Sequence, residues 1–333
     1  MGRGVCTLLG VMTVAIGSVP AVAGRIAEPE PGCVLGAAQR AVAPRDRDAL
    51  SPAQVRGMLG DLRRILLAKF GTADEAAFDP ARRPAVAAAA FAINRLGGKI
   101  VIPVRFHVIT NERLGRVPKS RVVRQVAALN AAYGGRTGGA DTGVSFRLTS
   151  VSVTANARWF TRPKQNERAM MTALRRGGRG TLNLYSAVVG VEVLGFSTFP
   201  QWYRGRPGLD GVVVDYRSLP NGGTAHFNRG YTAVHEVGHW LGLLHTFENG
   251  CVPPGDGVAD TPDEAAPTEG CPAGKDTCPA PGADPAHNFM DYGNDDCMRE
   301  FTPGQARRIR ASWAAYRAPV GLAARTRART QSG

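Results

Sequence analysis

HEVGHWLGLLH, residues 235–245, gathers three of the chain's six histidines into eleven positions, with a glutamate beside the first and a glycine three before the last. On a helix over 231–243, His235 and His239 stand four residues apart on one face, where their rings reach one ion together. Glu236 lies about 100° further round the same turn. That is too displaced for a natural third ligand, yet close enough to hydrogen-bond a water at that ion. Gly242 suits the left-handed residue that ends a helix, after which the chain doubles back and brings His245 to the same point. Three neutral imidazoles make an open tetrahedral zinc site whose fourth position takes a water, with its pKa lowered to about 7. H-E-x-x-H alone is a weak motif, and the extension by G-x-x-H decides the reading. The bland alternative, histidines packed in a helix or closed on a structural zinc, leaves Glu236 without a use.

Around this stretch, the 333 residues are enough for one large domain and a smaller unit, and 44 % hydrophobic content supplies a core. The net charge of +14, from 41 Lys and Arg against 27 Asp and Glu, raises the question of nucleic acid. The arginines are scattered rather than set in a stripe with interleaved aromatics, so no nucleic-acid partner is expected and the surface reads as solvated and basic. Met1-Gly2-Arg3, the apolar residues 5–19 and Ala21-Val22-Ala23 before Gly24 fit a secretory signal over 1–23, with the mature chain starting near Gly24. The apolar run falls short of the roughly 20 residues of a spanning helix, and no later segment qualifies. A secreted, extracellular protein without a membrane partner is expected. Cys6 leaves with the signal, Cys33 stands alone, and Cys251, Cys271, Cys278 and Cys297 read as two disulfides with three pairings open. Zinc on these four is disfavoured, because none has the close C-x2-4-C spacing.

Ser51-Pro52-Ala53-Gln54 forms a capping box with proline at the first helical position, and Val55, Leu59, Leu62, Leu66 and Phe70 follow at helical spacing. This helix must pack on something, while the Ala- and Pro-rich sequence around it reads as a connection rather than a second core. From Lys99 the pattern changes. IVIPVRFHVIT at 100–110 reads as a strand, 120–133 as a helix, and strands recur at 144–154, 182–185, 195–199 and 211–216, with a helix over 166–176. Alternation of this kind favours a sheet backed by helices. Residues 251–302 are dense in Pro, Gly and Asp and are expected to be held by disulfides. A last helix is read over 305–316, and residues 319–333 as a disordered tail.

HEVGHWLGLLH together with NFMDY at 288–292 resembles the metzincin metalloproteases, and specifically the pappalysin family with its secreted bacterial and archaeal members. LNLY (182–185), GFSTFP (195–200), DGVVVDY (210–216) and DTP (260–262) extend the likeness over residues 99–317. The resemblance implies an α/β (α+β) catalytic domain over 98–318: a twisted mixed sheet with a backing helix and an active-site helix, and an irregular, disulfide-stabilised lower subdomain ending in a helix. A small helical pro-segment, 24–97, precedes it. It also implies a zinc endopeptidase acting on proteins and peptides, with His235, His239 and His245 as ligands and Glu236 as general base and acid. Met290 is then the Met-turn residue beneath the metal. Tyr292 is either the group that stabilises the tetrahedral intermediate or a packed aromatic. The implied disulfides are Cys251–Cys278 and Cys271–Cys297. An extended peptide is expected to pair with an edge strand at 195–199.

Three further sites are open. Asp256, Asp260, Thr261, Asp263 and Glu264 offer hard oxygens for calcium, as the family suggests, or form a solvated acidic loop. Asp296 stands where arginine- and lysine-preferring relatives carry an acid after the scissile bond, or is a surface turn residue. Cys33 is either a thiolate switch on the zinc or an incidental thiol. His107, His226 and His287 read as structural. The rival functions are a secreted, zinc-stabilised binding protein without catalysis and another metzincin branch. The sequence leaves the oligomeric state open.

Overall fold

In the computed structural model, residues 50–79, 99–190 and 192–319 are described. The sequence reading of a signal over 1–23, Cys33 and the tail beyond 319 lies outside them.

The strands β1 (Ile100–Thr110), β2 (Val144–Ala155), β3 (Leu182–Ala187), β4 (Gly195–Ser197) and β5 (Val212–Asp215) form one sheet in the order β2-β1-β3-β5-β4. β1 runs parallel to β2 and β3, β3 runs parallel to β5, and only β4 is antiparallel. The mixed sheet is the one the sequence implies. Because successive strand residues point to opposite faces, Ile102, Val104, Phe106, Leu184, Val212 and Val214 enter one core, while Ile109, Tyr185, Phe196 and Val213 enter another.

The first core is covered by α2 (Lys119–Tyr133), through Val122, Val126, Leu129 and Tyr133, and by α5 (Tyr231–Trp240), through Val234, Val237 and Trp240. Two bonds tie this backing helix to the helix that carries the histidines: Tyr133 Oη donates to Val234 O at 2.9 Å and Gln125 Nε2 to Gly230 O at 2.9 Å. The second core is covered by the short helices α3 (Ala157–Thr161) and α4 (Glu167–Leu174), with Phe160, Met170 and Met171 fully buried.

Helix α1 (Pro52–Phe70) has the expected capping box and ends on Gly71 in the left-handed conformation. It is not a separate unit. Val55 packs with Phe199 and Leu244, and Leu62 and Leu66 pack with Phe78, Ala311 and Ala315. The last two belong to α6 (Pro303–Ser312) and the π-helical turn Trp313–Arg317 that follows it. Arg308 Nε donates to Glu75 at 2.7 and 2.8 Å, and Arg310 Nε donates to Phe78 O at 3.1 Å. The helix that the sequence requires to pack on something thus does so, and residues 50–79 join the packed body, while the Ala- and Pro-rich connection around it lies outside the described residues.

The C-terminal turn fixes the end of the histidine helix. Helix C-termini leave carbonyls without intrahelical partners, and Trp240 O is met by Arg317 Nε at 2.7 Å. The guanidinium lies 3.5 Å from the Trp240 ring centroid, and buried Asp210 accepts from both Arg317 (3.0 Å) and Trp240 Nε1 (3.1 Å).

Candidate metal centre

Helix α5 stops at Trp240, earlier than the period suggested, because Gly242 takes φ 97°. A side chain there would meet Ser312 Oγ at 2.4 Å, so both conformation and space call for glycine. Leu243 N–H turns back to Gly238 O at 2.9 Å, and His245 arrives beside the two helical histidines. Among the described residues, these three are the one set of three or more His, Cys, Asp and Glu side chains whose ligand atoms lie within 4.8 Å of one another.

The tautomers follow from the outer contacts. Nδ1–H of His235 donates to Phe289 O (2.8 Å) and that of His239 to Leu243 O (2.9 Å), while His245 Nδ1 stands 3.4 Å from the Glu248 carboxylate. The Nε2 atoms therefore present lone pairs inward, with His239 Nε2 3.1 Å from Nε2 of both His235 and His245. Three acceptors facing one another at that distance repel unless a cation lies between them. Their outward N–H groups are anchored as those of metal-bound imidazoles are. Burial, reinforced by His239, pushes the His235 imidazole down to about 3, and burial with His245 beside it holds His239 far below the usual range. Neutral imidazole is the form that binds zinc, so the donor set fits that ion.

Met290 lies directly beneath: a Cβ on Gly238 would come within 2.3 Å of its Sδ. The turn that carries Met290 is held by a reciprocal amide pair between Asn288 and Gln305, both bonds 2.9 Å, and Gln305 also closes the capping box of α6. Thr246 N–H donates to Met290 O at 3.2 Å, joining this turn to the third histidine. Tyr292 Oη lies 3.2 Å from His245 Nε2. Glu236 is buried under the edge strand β4, where a Cβ on Gly195 would stand 2.5 Å from its Oε1. Glycine at 195 is what lets the strand pass over the carboxylate.

An open pocket lies beside these groups, and Gly195, His235, Glu236, Tyr292 and Asp295 are among the residues lining it. Besides Glu236, the acids in its wall are Asp291 and Asp295. Asp296, expected there from sequence, points outward, 45 % exposed, and pairs with Arg229 and, at 3.4 Å, His226. Asp295 Oδ2 accepts Arg229 N–H at 2.7 Å, its Oδ1 has no hydrogen-bond partner, and burial raises its carboxyl to about 7.

Of the five residues expected to bind calcium, Asp256, Asp260 and Glu264 turn to separate partners. Asp256 accepts from Thr261 Oγ1 (2.8 and 2.9 Å) and Val258 N–H. Asp260 caps α6 through Thr302 Oγ1 and Gly304 N–H, both 2.7 Å. Glu264 turns inward to Thr246, Thr268 and Lys275. The disulfides Cys251–Cys278 and Cys271–Cys297 form as the resemblance implied. His107 stacks on Tyr185 and bonds Ser152 and Asn183, and His287 Nδ1 bonds Cys297 O. Sequence reading missed Glu248, three residues past a ligand, and Asp295, whose side is not readable in a loop without periodicity.

A mixed sheet above a helix that presents two imidazoles, a third returned by a glycine turn and a methionine beneath define a metzincin-type metallopeptidase. The family model described as pregnancy-associated plasma protein-A matches residues 193–314. Extracellular metalloproteases of Verticillium alfalfae and Trichophyton verrucosum are 44 % and 42 % identical over 221 and 226 residues, covering 64 % and 66 % of this chain and 77 % and 79 % of theirs. The solved structure of mature mirolysin of Tannerella forsythia, in complex with a cleaved peptide, is similar at a TM-score of 0.56 and 28 % identity, over 64 % of this chain and 90 % of that one. Promirolysin is similar in fold at a TM-score of 0.58 and 24 % identity, over 73 % of this chain and 92 % of that one. The chain belongs to the pappalysin family of metalloendopeptidases.

Proposed function

We propose that this chain is a secreted zinc endopeptidase in which His235, His239 and His245 hold the metal and Glu236 moves the proton. The observation that carries the reading is the inward convergence of three Nε2 atoms whose Nδ1 positions are engaged outward, with a buried carboxylate in the same pocket wall. Held by these three neutral imidazoles, zinc would supply Lewis acidity and bring the pKa of a water down to near neutral. Glu236 takes the water proton on its carboxylate and returns it to the departing amine. Tyr292 Oη offers a hydrogen bond to the oxyanion as it forms. The free edge of β4 pairs with an extended peptide and aligns the scissile bond over Glu236. Glu236→Gln should keep stoichiometric zinc and lower casein cleavage by about 10²–10⁴-fold. A Gln variant that cuts at the wild-type rate would sink the assignment.

Asp295, rather than Asp296, is the acid that selects arginine or lysine after the cut, through charge-assisted hydrogen bonds. Asp295→Asn should remove that preference from a peptide-library profile. Residues 24–97 act as a pro-segment. The larger share of this chain covered by promirolysin than by mature mirolysin supports this. So does the packing of α1 on Phe199, whose ring lies 5.2 Å from that of His239. Cys33, read from sequence as a thiolate switch or an incidental thiol, lies outside the described residues, and a Cys33→Ala precursor as silent as the wild type would favour the incidental thiol. Export agrees with the extracellular relatives and with the absence, among the described residues, of any helix long and apolar enough to cross a membrane.

A further inference from the structure

The loop between the two disulfides closes on a cation of its own. Lys275 Nζ lies 2.5 Å from Glu264 Oε1, 2.5 Å from Ala266 O, 3.2 Å from Thr268 Oγ1 and 3.2 Å from Asp284 Oδ2. The Glu264 and Asp284 side chains are 0 % exposed and that of Lys275 only 16 %. An ammonium has three N–H groups, and four oxygens satisfy it, whereas calcium takes six to eight. The residues expected to bind calcium do not fit that ion. Asp256 and Asp260 serve other partners, and the inner face of Glu264 is taken by Nζ.

The same carboxylate reaches the metal centre from two sides. Its Oε2 accepts Thr246 Oγ1 at 2.7 Å, next in sequence to His245. Its Oε1 accepts Thr268 Oγ1 at 3.1 Å, and Thr268 N–H donates to Asp291 Oδ1 (2.9 Å), which also takes the Tyr292 N–H (2.7 Å). Removing the charge at the hub leaves two buried carboxylates uncompensated, and breaking a buried pair costs far more than making it gains.

We propose that Lys275 is a positioning residue whose ammonium takes the place of a bound divalent cation in the lower loop and so fixes His245 and Tyr292. The inference deepens the peptidase reading and rests on it for the kinetic readout alone. The test uses the full chain, wild type and the variants Lys275→Met and Lys275→Ala, with and without millimolar calcium. Zinc retained after mild chelation, the thermal midpoint, kcat and KM are measured. The wild type should be indifferent to calcium. Lys275→Met should lose zinc about 10–100-fold more readily, with kcat lowered and KM nearly unchanged, and gain nothing from calcium because the methionine fills the space. Lys275→Ala should show the same losses and recover zinc retention, thermal midpoint and kcat in calcium. A wild type stabilised by calcium would overturn the proposal, as would a Lys275→Ala protein that equals it without calcium or stays impaired with it. Should Lys275→Met fail to fold, Lys275→Ala decides. Should the wild type cut no peptide, the peptidase reading fails, while zinc retention and the thermal midpoint still judge Lys275.

Discussion

The sheet and the loop beneath it contribute to the same centre by different physics. Strands β3 and β5 and the second half of β1 are buried on both faces and held by apolar contact with α2 and α5 on one side and α3 and α4 on the other, so their positions follow from side-chain alternation and volume. Residues 246–301 have almost no regular structure. They are held by two disulfides, the Lys275 shell and side-chain bonds to backbone. The sheet side supplies His235, His239 and Glu236, and the loop supplies His245, Met290, Tyr292 and Asp295. A rigid scaffold thus sets two of the imidazoles and the buried carboxylate, while a cross-linked loop sets the third imidazole and the pocket wall. Damage to the two regions should therefore look different.

The largest effect should come from the sheet. Phe106 is fully buried at the centre of the first core, and Phe106→Ala should lower global stability by about 3–5 kcal/mol. Denaturant titration should show one cooperative loss of fold and zinc together. Removal of Cys251–Cys278 by Cys251→Ala with Cys278→Ala should cost about 2–4 kcal/mol. Here hydrogen exchange should rise across 246–301 while the amides of β1 and β3 stay protected, and zinc should leave before the sheet opens. Uniform exchange across both regions would erase the distinction.

The difference also explains what sequence makes legible. The periods of 100–110, 120–133, 182–185 and 211–216 are visible because each element packs an apolar face, and all reappear as strands or helices. The capping box at 51–54 marks α1 to the residue, yet its docking on Phe199, Leu244 and Ala311 joins residues more than a hundred positions apart and has no local trace. The three clustered histidines are readable because helix geometry and one glycine turn bring them together. In the loop no period exists, so Asp295 and Asp296 look alike in sequence and a one-residue difference decides which faces the pocket. Lys275 passes for a surface residue, since lysine is almost never buried without a partner. The carboxylates that pair with it lie 11 and 9 positions away in irregular chain.

The subtlest expected effect is a pair of opposed slopes in the metal-free protein. His235 is held down at about 3, below the usual imidazole value of about 6.5. The unfolded chain then takes up a proton that the folded one refuses, and stability is lost as pH falls from about 6.5 toward 3. Asp256, in the loop, is held up at about 7 by burial, above the ordinary value of about 3.9. The folded chain there keeps a proton that the unfolded one releases, so this contribution is full below about pH 4 and is lost as pH rises through 7. Each group adds at most about 1.4 kcal/mol per pH unit. The thermal midpoint should therefore peak between the two limbs. Asp256→Asn keeps the shape that accepts from Thr261 and should lessen the neutral limb, to which Asp295 also contributes, whereas zinc, bound only by neutral imidazoles, should raise the midpoint at neutral pH and steepen the acid limb. A midpoint that climbs steadily from pH 4 to 8 in the metal-free protein, read by calorimetry, would mean that the loop carboxylates are ionised in the fold and that burial there is weaker than the packing implies.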